Sequence, residues 1–95
     1  MTYLQTQFNM AKTKQKLPKW FDGQLYDKGG IVKNPYSGEE YELTAEELSM
    51  YDLIKGIEIV IGMGYRAKPS LIEDFDKAIR WFRKNNAKAY MALLD

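Results

Sequence analysis

The stretch Leu43-Thr44-Ala45-Glu46-Glu47-Leu48 decides the fold, because it marks the start of the longest helix that the sequence predicts. Thr44 is placed as the N-cap, and Glu47 follows three residues later. At that spacing the threonine hydroxyl accepts a hydrogen bond from the Glu47 amide, and the glutamate carboxylate accepts one from the Thr44 amide. Leu43 and Leu48 stand at the two positions of a hydrophobic staple. We therefore expect a helix directly after this cap, with the remaining chain organised around it.

A broad apolar face runs along this central helix, which is predicted over residues 45–62. Its apolar side chains recur at spacings of three and four, which is typical of an amphipathic helix. A face this broad needs covering on more than one side, and either a helix bundle or a homodimer interface would cover it. In the homodimer alternative, the side chains that form the interface are Met50, Tyr51, Leu53, Ile54, Ile57 and Ile61.

The central helix contains one glycine in its middle and a pair of glycines at its end. Gly56 in its middle costs about 1 kcal/mol relative to alanine, and close approach of another backbone or a bulky ring would explain its use. Gly62-Met63-Gly64 is expected to end the helix, with one glycine in the left-handed conformation. This glycine pair does not predict a phosphate-binding loop, because it lacks the third glycine and lies at a helix C-terminus, which repels anions.

A β-hairpin is predicted over residues 31–43. Asn34-Pro35-Tyr36-Ser37-Gly38 has the residue order that a type I turn prefers, with asparagine first, proline second and glycine at the end. The strand after it alternates acidic and apolar residues, which places Tyr41 and Leu43 on one face and the acids in water. Because an isolated hairpin is marginally stable, we expect it to pack on the helices. The turn could also present Tyr36 and Ser37 to a ligand.

Two further helices are predicted over residues 71–84 and 87–94. Ser70 and Glu73 have capping-box spacing at the start of the first, and Asn85-Asn86 breaks the chain between the two. The expected fold class is mainly α with a small β-hairpin (α+β). Residues 20–95 would form one compact three-helix domain, and residues 1–19 a flexible basic arm.

Composition narrows the possible chemistry of this chain of 95 residues, which contains neither cysteine nor histidine. Disulfides, thiolate nucleophiles and histidine-based catalytic systems are therefore excluded. The densest acidic cluster is Glu39, Glu40, Glu42, Glu46 and Glu47, and paired carboxylates can bind Mg²⁺ or transfer protons. Capping and exposure on a strand account for these acids more simply. We expect no enzyme activity, no catalytic residue, no cofactor and no metal site.

Charge is distributed unevenly along the chain. Residues 1–35 carry six basic and two acidic side chains, residues 36–65 one and seven, and residues 66–95 seven and four. On the helix predicted over residues 71–84, the basic side chains lie close to one face and Trp81 is adjacent; these side chains are Lys77, Arg80, Arg83 and Lys84. Together with the basic arm they suggest single-stranded nucleic acid as an alternative partner.

The sequence contains no stretch of about 20 apolar residues that would cross a membrane. Its beginning also lacks the continuous apolar core of a secretory signal. We therefore expect no membrane partner and a cytoplasmic location, which the lack of cysteine suits.

From Trp20 onward the chain resembles a family of small uncharacterised proteins of marine bacteriophages. The resemblance rests on Asn34-Pro35-Tyr36-Ser37-Gly38, on Glu42-Leu43-Thr44 with Tyr51-Asp52-Leu53-Ile54-Lys55-Gly56, and on Trp81-Phe82-Arg83-Lys84 with Ala89-Tyr90-Met91-Ala92-Leu93-Leu94-Asp95. It covers about three quarters of the chain and brings no assigned activity. It implies expression in the cytoplasm of an infected bacterium.

The function itself is not encoded in any motif. The expected role is that of a non-catalytic interaction protein, a phage accessory or host-directed factor that forms a homo-oligomer, with a dimer as the first expectation. Its other partner would be an unknown host or phage protein. The alternative is a nucleic-acid-binding accessory protein that uses the basic arm and the basic helix face.

Overall fold

The computed structural model describes residues 15–64 and 68–94. Within them it contains a two-stranded antiparallel sheet followed by three helices. This confirms the predicted fold class, a mainly α domain with a small β-hairpin. Most of the predicted basic arm, residues 1–14, lies outside the described residues.

Helix α1, Ala45–Gly62, begins and ends where the sequence predicts. The Thr44 hydroxyl accepts a hydrogen bond from the Glu47 amide at 3.1 Å, and Glu47 Oε1 accepts one from the Thr44 amide at 3.0 Å. The capping box is therefore complete. At the other end Met63 is the C-cap, and Gly64 has a φ of 83°, a left-handed conformation that glycine adopts without a steric penalty.

The hairpin consists of β1, Gly30–Lys33, and β2, Glu40–Leu43, paired so that Val32 lies opposite Tyr41. Val32, Tyr41 and Leu43 face the core, whereas the alternate side chains are exposed. This confirms the predicted alternation. In the turn, Asn34 Oδ1 accepts hydrogen bonds from the amides of Tyr36 and Ser37. Asn34 Nδ2 donates to the Ala92 carbonyl at 3.0 Å, which ties the turn to the C-terminal helix.

Helix α2 spans Pro69–Asn85, so it starts two residues before the predicted boundary. Its N-cap is Lys68, without a side-chain cap, and Pro69 stands in the first turn. The predicted cap by Ser70 and Glu73 is therefore wrong. The physical reason is that the fixed φ of proline already suits the first helical position, which moves Ser70 inside the helix.

Helix α3, Ala87–Leu93, follows after a single residue. Asn86 is the C-cap of α2 and the N-cap of α3, and its Oδ1 accepts a hydrogen bond from the Ala89 amide at 3.1 Å. The predicted break at Asn85-Asn86 is thus a single non-helical residue, Asn86, which caps the helices on both sides.

The core lies between the three helices and the inner face of the hairpin. Leu43, Met50, Ile54, Phe82 and Leu93 are among the buried side chains that meet there. Burying one such side chain contributes about 1.5–3 kcal/mol, so these contacts hold the short hairpin on the helices.

Residues 15–19 belong to the packed domain, whereas the sequence placed them in the arm. Leu17 packs against the core, the Lys16 carbonyl accepts a hydrogen bond from Trp81 Nε1 at 3.0 Å, and Gln15 contacts the cap of α1. Residues 15–19 therefore contact parts of the domain that are distant from them in sequence. Within the described part of the chain, no helix is long and apolar enough to span a membrane.

Candidate functional site

The predicted interface side chains do not form one surface. Met50 and Ile54 are fully buried, and Ile57 is only 4% exposed. The chain's own helices and hairpin cover these three, so they are unavailable to a partner and drop out of the candidate interface. Tyr51 and Leu53 are partly buried and pack against the core. The bundle alternative therefore accounts for most of the apolar face.

The apolar face of α1 becomes exposed in its last turn. Ile61 lies one helical turn after Ile57 on the same stripe, yet it is 43% exposed. Ile59 is 62% and Met63 64% exposed, and Val60 is exposed between them. We call Ile59, Val60, Ile61 and Met63 the apolar tip. A helix end that is apolar on all sides is normally covered, and the described residues leave this one open.

A shallow cleft borders the apolar tip. It has a volume of about 470 Å³ and is lined by Tyr36, Lys55, Glu58 and Ile59. Tyr36, at the hairpin turn, is 93% exposed. Lys55 Nζ and Glu58 Oε1 form an ion pair at 3.1 Å, so the two charges beside the tip offset one another. The turn therefore does present Tyr36, and it presents it next to the exposed end of α1.

Glu47 is the centre of a buried polar cluster. The side chain is 3% exposed. Its Oε2 accepts hydrogen bonds from Gln15 Nε2 at 2.7 Å and from Asn86 Nδ2 at 3.1 Å, in addition to the cap bond on Oε1. Gln15 Oε1 in turn accepts from the Thr44 hydroxyl at 2.7 Å. The carboxylate therefore joins the N-terminal segment, the start of α1 and the start of α3.

The acidic residues do not converge into a site. Glu47 is enclosed in the polar cluster, whereas Glu39, Glu40 and Glu42 are exposed on the hairpin. Among residues 15–64 and 68–94, no group of three or more acidic side chains is arranged to hold a metal ion. Their placement agrees with the capping and solvation roles that the sequence suggests.

Tyr26 and Ser49 form a smaller contact beside α1. The Tyr26 amide donates to Ser49 Oγ at 3.0 Å, and the buried Ser49 hydroxyl donates to the Ala45 carbonyl at 2.8 Å. Partial burial raises the pKa of the Tyr26 phenol, and the nearby Asp52 carboxylate raises it further by its charge and a hydrogen bond. The contact fixes the segment before the hairpin on α1.

The predicted nucleic-acid side chains are all exposed on α2. Lys77, Arg80 and Lys84 follow each other at intervals of three and four, which places them on one stripe. Arg83 borders this stripe, and its guanidinium lies 5.5 Å from the centre of the Tyr90 ring on α3. Arg83 therefore also contacts α3.

Of the four side chains of the apolar tip, only Ile61 belongs to the interface that the sequence predicts. The signal was present, because Ile59-Val60-Ile61 is a run of consecutive apolar residues. Consecutive helical residues point in different directions, so such a run cannot be buried on one face.

Comparisons with protein-family models, with curated proteins and with solved structures found no match to this chain.

Proposed function

We propose that this protein is a non-catalytic interaction protein that forms a homodimer through the apolar tip of α1. The observation that carries the proposal is the contrast between Ile57, which is 4% exposed, and Ile61, which is 43% exposed on the same stripe. The stripe extends beyond the elements that cover it. A second copy would cover the remainder.

A second copy suits this surface because the surface is electrically neutral. The flanking Lys55 and Glu58 pair with each other, so two identical tips can meet without repulsion between like charges. A two-fold dimer uses the same patch on both copies, which requires such self-complementarity. Tyr36 stands at the edge of the cleft, where an aromatic side chain can contact the opposing helix.

The proposed role in the cell rests on the sequence resemblance alone. It is that of a phage accessory or host-directed factor in the cytoplasm of an infected bacterium. The absence of histidine and cysteine and the scattered acidic side chains support a role without catalysis.

Sedimentation velocity tests the dimer. We expect a concentration-dependent change from monomer to dimer between about 1 and 200 µM, the range in which an interface of modest size associates. The double variant Ile59→Gln/Ile61→Gln should stay monomeric over this range. Glutamine is a good helix former, so the variant should retain its helix content.

The matched control is Ile31→Gln/Met91→Gln. These two side chains are similarly exposed, on β1 and α3, and lie outside the apolar tip. The control should dimerise like the original chain. If the original chain is monomeric throughout the range, or if both double variants lose the dimer equally, the tip is not the dimer interface.

A further inference from the structure

A second surface of the molecule brings together two segments that are far apart in sequence. Trp81 Nε1 donates a hydrogen bond to the Lys16 carbonyl at 3.0 Å, and Lys77 Nζ lies 5.9 Å from the centre of the Trp20 ring. Residues 16–20 therefore run alongside α2, in the opposite direction. Lys19 lies between these two contacts.

This arrangement concentrates positive charge. Two exposed lysines of the N-terminal segment adjoin the exposed basic stripe of α2, which gives a surface that contains Lys16, Lys19, Lys77, Arg80 and Lys84. We call these five side chains the basic face. Asp76 pairs with Arg80 at 2.7 Å, and both side chains remain largely exposed, so water screens much of that pair. Three acidic side chains, Glu39, Glu40 and Glu42, are exposed on the hairpin and not on this surface.

Both tryptophans of the chain, Trp20 and Trp81, are part of the same surface. Each residue is only partly buried, so part of its surface remains exposed beside the lysines. Single-stranded nucleic acid binds to surfaces that combine cations for the phosphates with aromatic rings for the bases. An acidic peptide would use the cations without needing the rings.

We propose that the basic face binds single-stranded nucleic acid, with Lys16, Lys19, Lys77, Arg80 and Lys84 contacting phosphates and the two tryptophans contacting bases. This function is separate from the proposed dimer, because it uses α2 and the N-terminal segment and not the apolar tip. Without base-edge readout, the binding would depend little on sequence and strongly on salt.

Tryptophan fluorescence is a direct probe of the site, because the chain has no tryptophan elsewhere. Titration with a thymidine oligonucleotide of about 12 residues at 50 mM salt should quench the emission. For four to five neutralised phosphates, the plot of log K against log salt should have a slope of about −3, since each single-strand contact contributes about −0.7.

The variant Lys77→Gln/Lys84→Gln removes two of these contacts. Its slope should be shallower by about 1.4, and its affinity at 50 mM salt should be lower by roughly 50-fold, as the loss of two phosphate contacts implies. The control Lys28→Gln/Lys33→Gln changes the net charge equally. Lys33 is on β1 and Lys28 precedes that strand, and both are exposed and lie outside the basic face and the apolar tip. Its slope and its quenching should match those of the original chain.

Three results would overturn the proposal. The first is the absence of quenching at 50 mM salt, and the second is an equal loss of affinity in both double variants. The third is a response of the tryptophans to phosphatidylserine vesicles and not to the oligonucleotide, which would assign the face to a membrane surface. Circular dichroism of each variant verifies that it is folded, which is expected because the four lysines are on the surface.

Discussion

Replacing Glu47 by glutamine would show how much the buried polar cluster contributes to stability. The carboxylate accepts three N–H donors, from Thr44, Gln15 and Asn86, at 2.7–3.1 Å. Glutamine has nearly the same shape but only one oxygen. In either orientation of its amide, the NH₂ group faces at least one of these donors, so at least one hydrogen bond is lost.

The magnitude follows from two opposing effects. A hydrogen bond to a charged acceptor contributes about 1.5–3 kcal/mol, and the substitution removes one or two of them. A neutral amide is also less costly to bury than a carboxylate, which offsets part of that loss. Because the carboxylate accepts hydrogen bonds from three segments, we expect the lost hydrogen bonds to outweigh the lower cost of burying a neutral amide. The free energy of unfolding should fall by about 1–3 kcal/mol, out of about 5–15 kcal/mol for a typical domain.

Urea denaturation followed by circular dichroism measures this difference, at a protein concentration low enough to keep the chain monomeric. The matched control is Glu46→Gln, which changes the same charge in the same helical turn. Glu46 lies outside the cluster and favours the helix N-terminus by about 0.3–1 kcal/mol. If Glu47→Gln is no more destabilising than Glu46→Gln, then the cost of burying the carboxylate cancels its hydrogen bonds, and the reasoning is refuted.

Three further substitutions test the surroundings of two glycines and of the Tyr26 phenol. Gly29→Ala should strongly destabilise the fold, because the new methyl group would collide with the Leu43 carbonyl oxygen in the backbone; urea denaturation measures it, and a stability like that of the original chain would contradict this contact. Gly56→Ala should instead raise the free energy of unfolding by about 1 kcal/mol, because a methyl group there meets nothing within 4 Å; a loss of stability in the same assay would mean that something approaches this face. The phenol of Tyr26 should ionise at a higher pH than a free tyrosine, and Asp52→Asn should lower its pKa, as NMR titration of labelled tyrosine would measure. Since the raised pKa favours the protonated form in the folded state, its stabilising effect is complete below the unfolded pKa of about 10 and is lost as the pH rises through the folded value.

The surroundings of Gly56 differ from what the sequence predicts. A glycine in the middle of a helix suggested close approach of another group, but its surroundings are open among the described residues. Composition cannot distinguish a glycine required by packing from one that is merely tolerated, because the two differ only in what surrounds the helix. Gly29 is the required one, because the backbone of Leu43 leaves no room there for a methyl group.

Local signals predicted the elements of the fold well where the stabilising contacts are themselves local. The capping box at Thr44, the Asn34 turn and the break at Asn86 each depend on hydrogen bonds between residues two to five positions apart. The predicted start of α2 is wrong because two signals compete there. Pro69 suits the first position of a helix and Ser70 suits an N-cap, and the sequence does not show which of the two applies.

The candidate surfaces depend on contacts between distant residues, which periodicity cannot resolve. A stripe from Met50 to Ile61 has the same pattern whether a helix of the same chain or a second copy covers it. The tertiary structure decides where that cover stops, between Ile57 and Ile61. The basic stripe of α2 likewise gains Lys16 and Lys19 only because residues 16–20 lie along the helix.

By itself, the sequence determined that a helix begins at Thr44-Ala45, that a hairpin precedes it and that two more helices follow, because caps, turns and apolar spacing act within a few residues. Only the tertiary structure gave Glu47 its second role. Its bond to Thr44 is encoded by a spacing of three residues, whereas its partners Gln15 and Asn86 are 32 and 39 residues away. Such contacts form only when these distant segments pack together. Packing also removes the water that would otherwise hydrogen-bond to the carboxylate, so the buried group needs these partners.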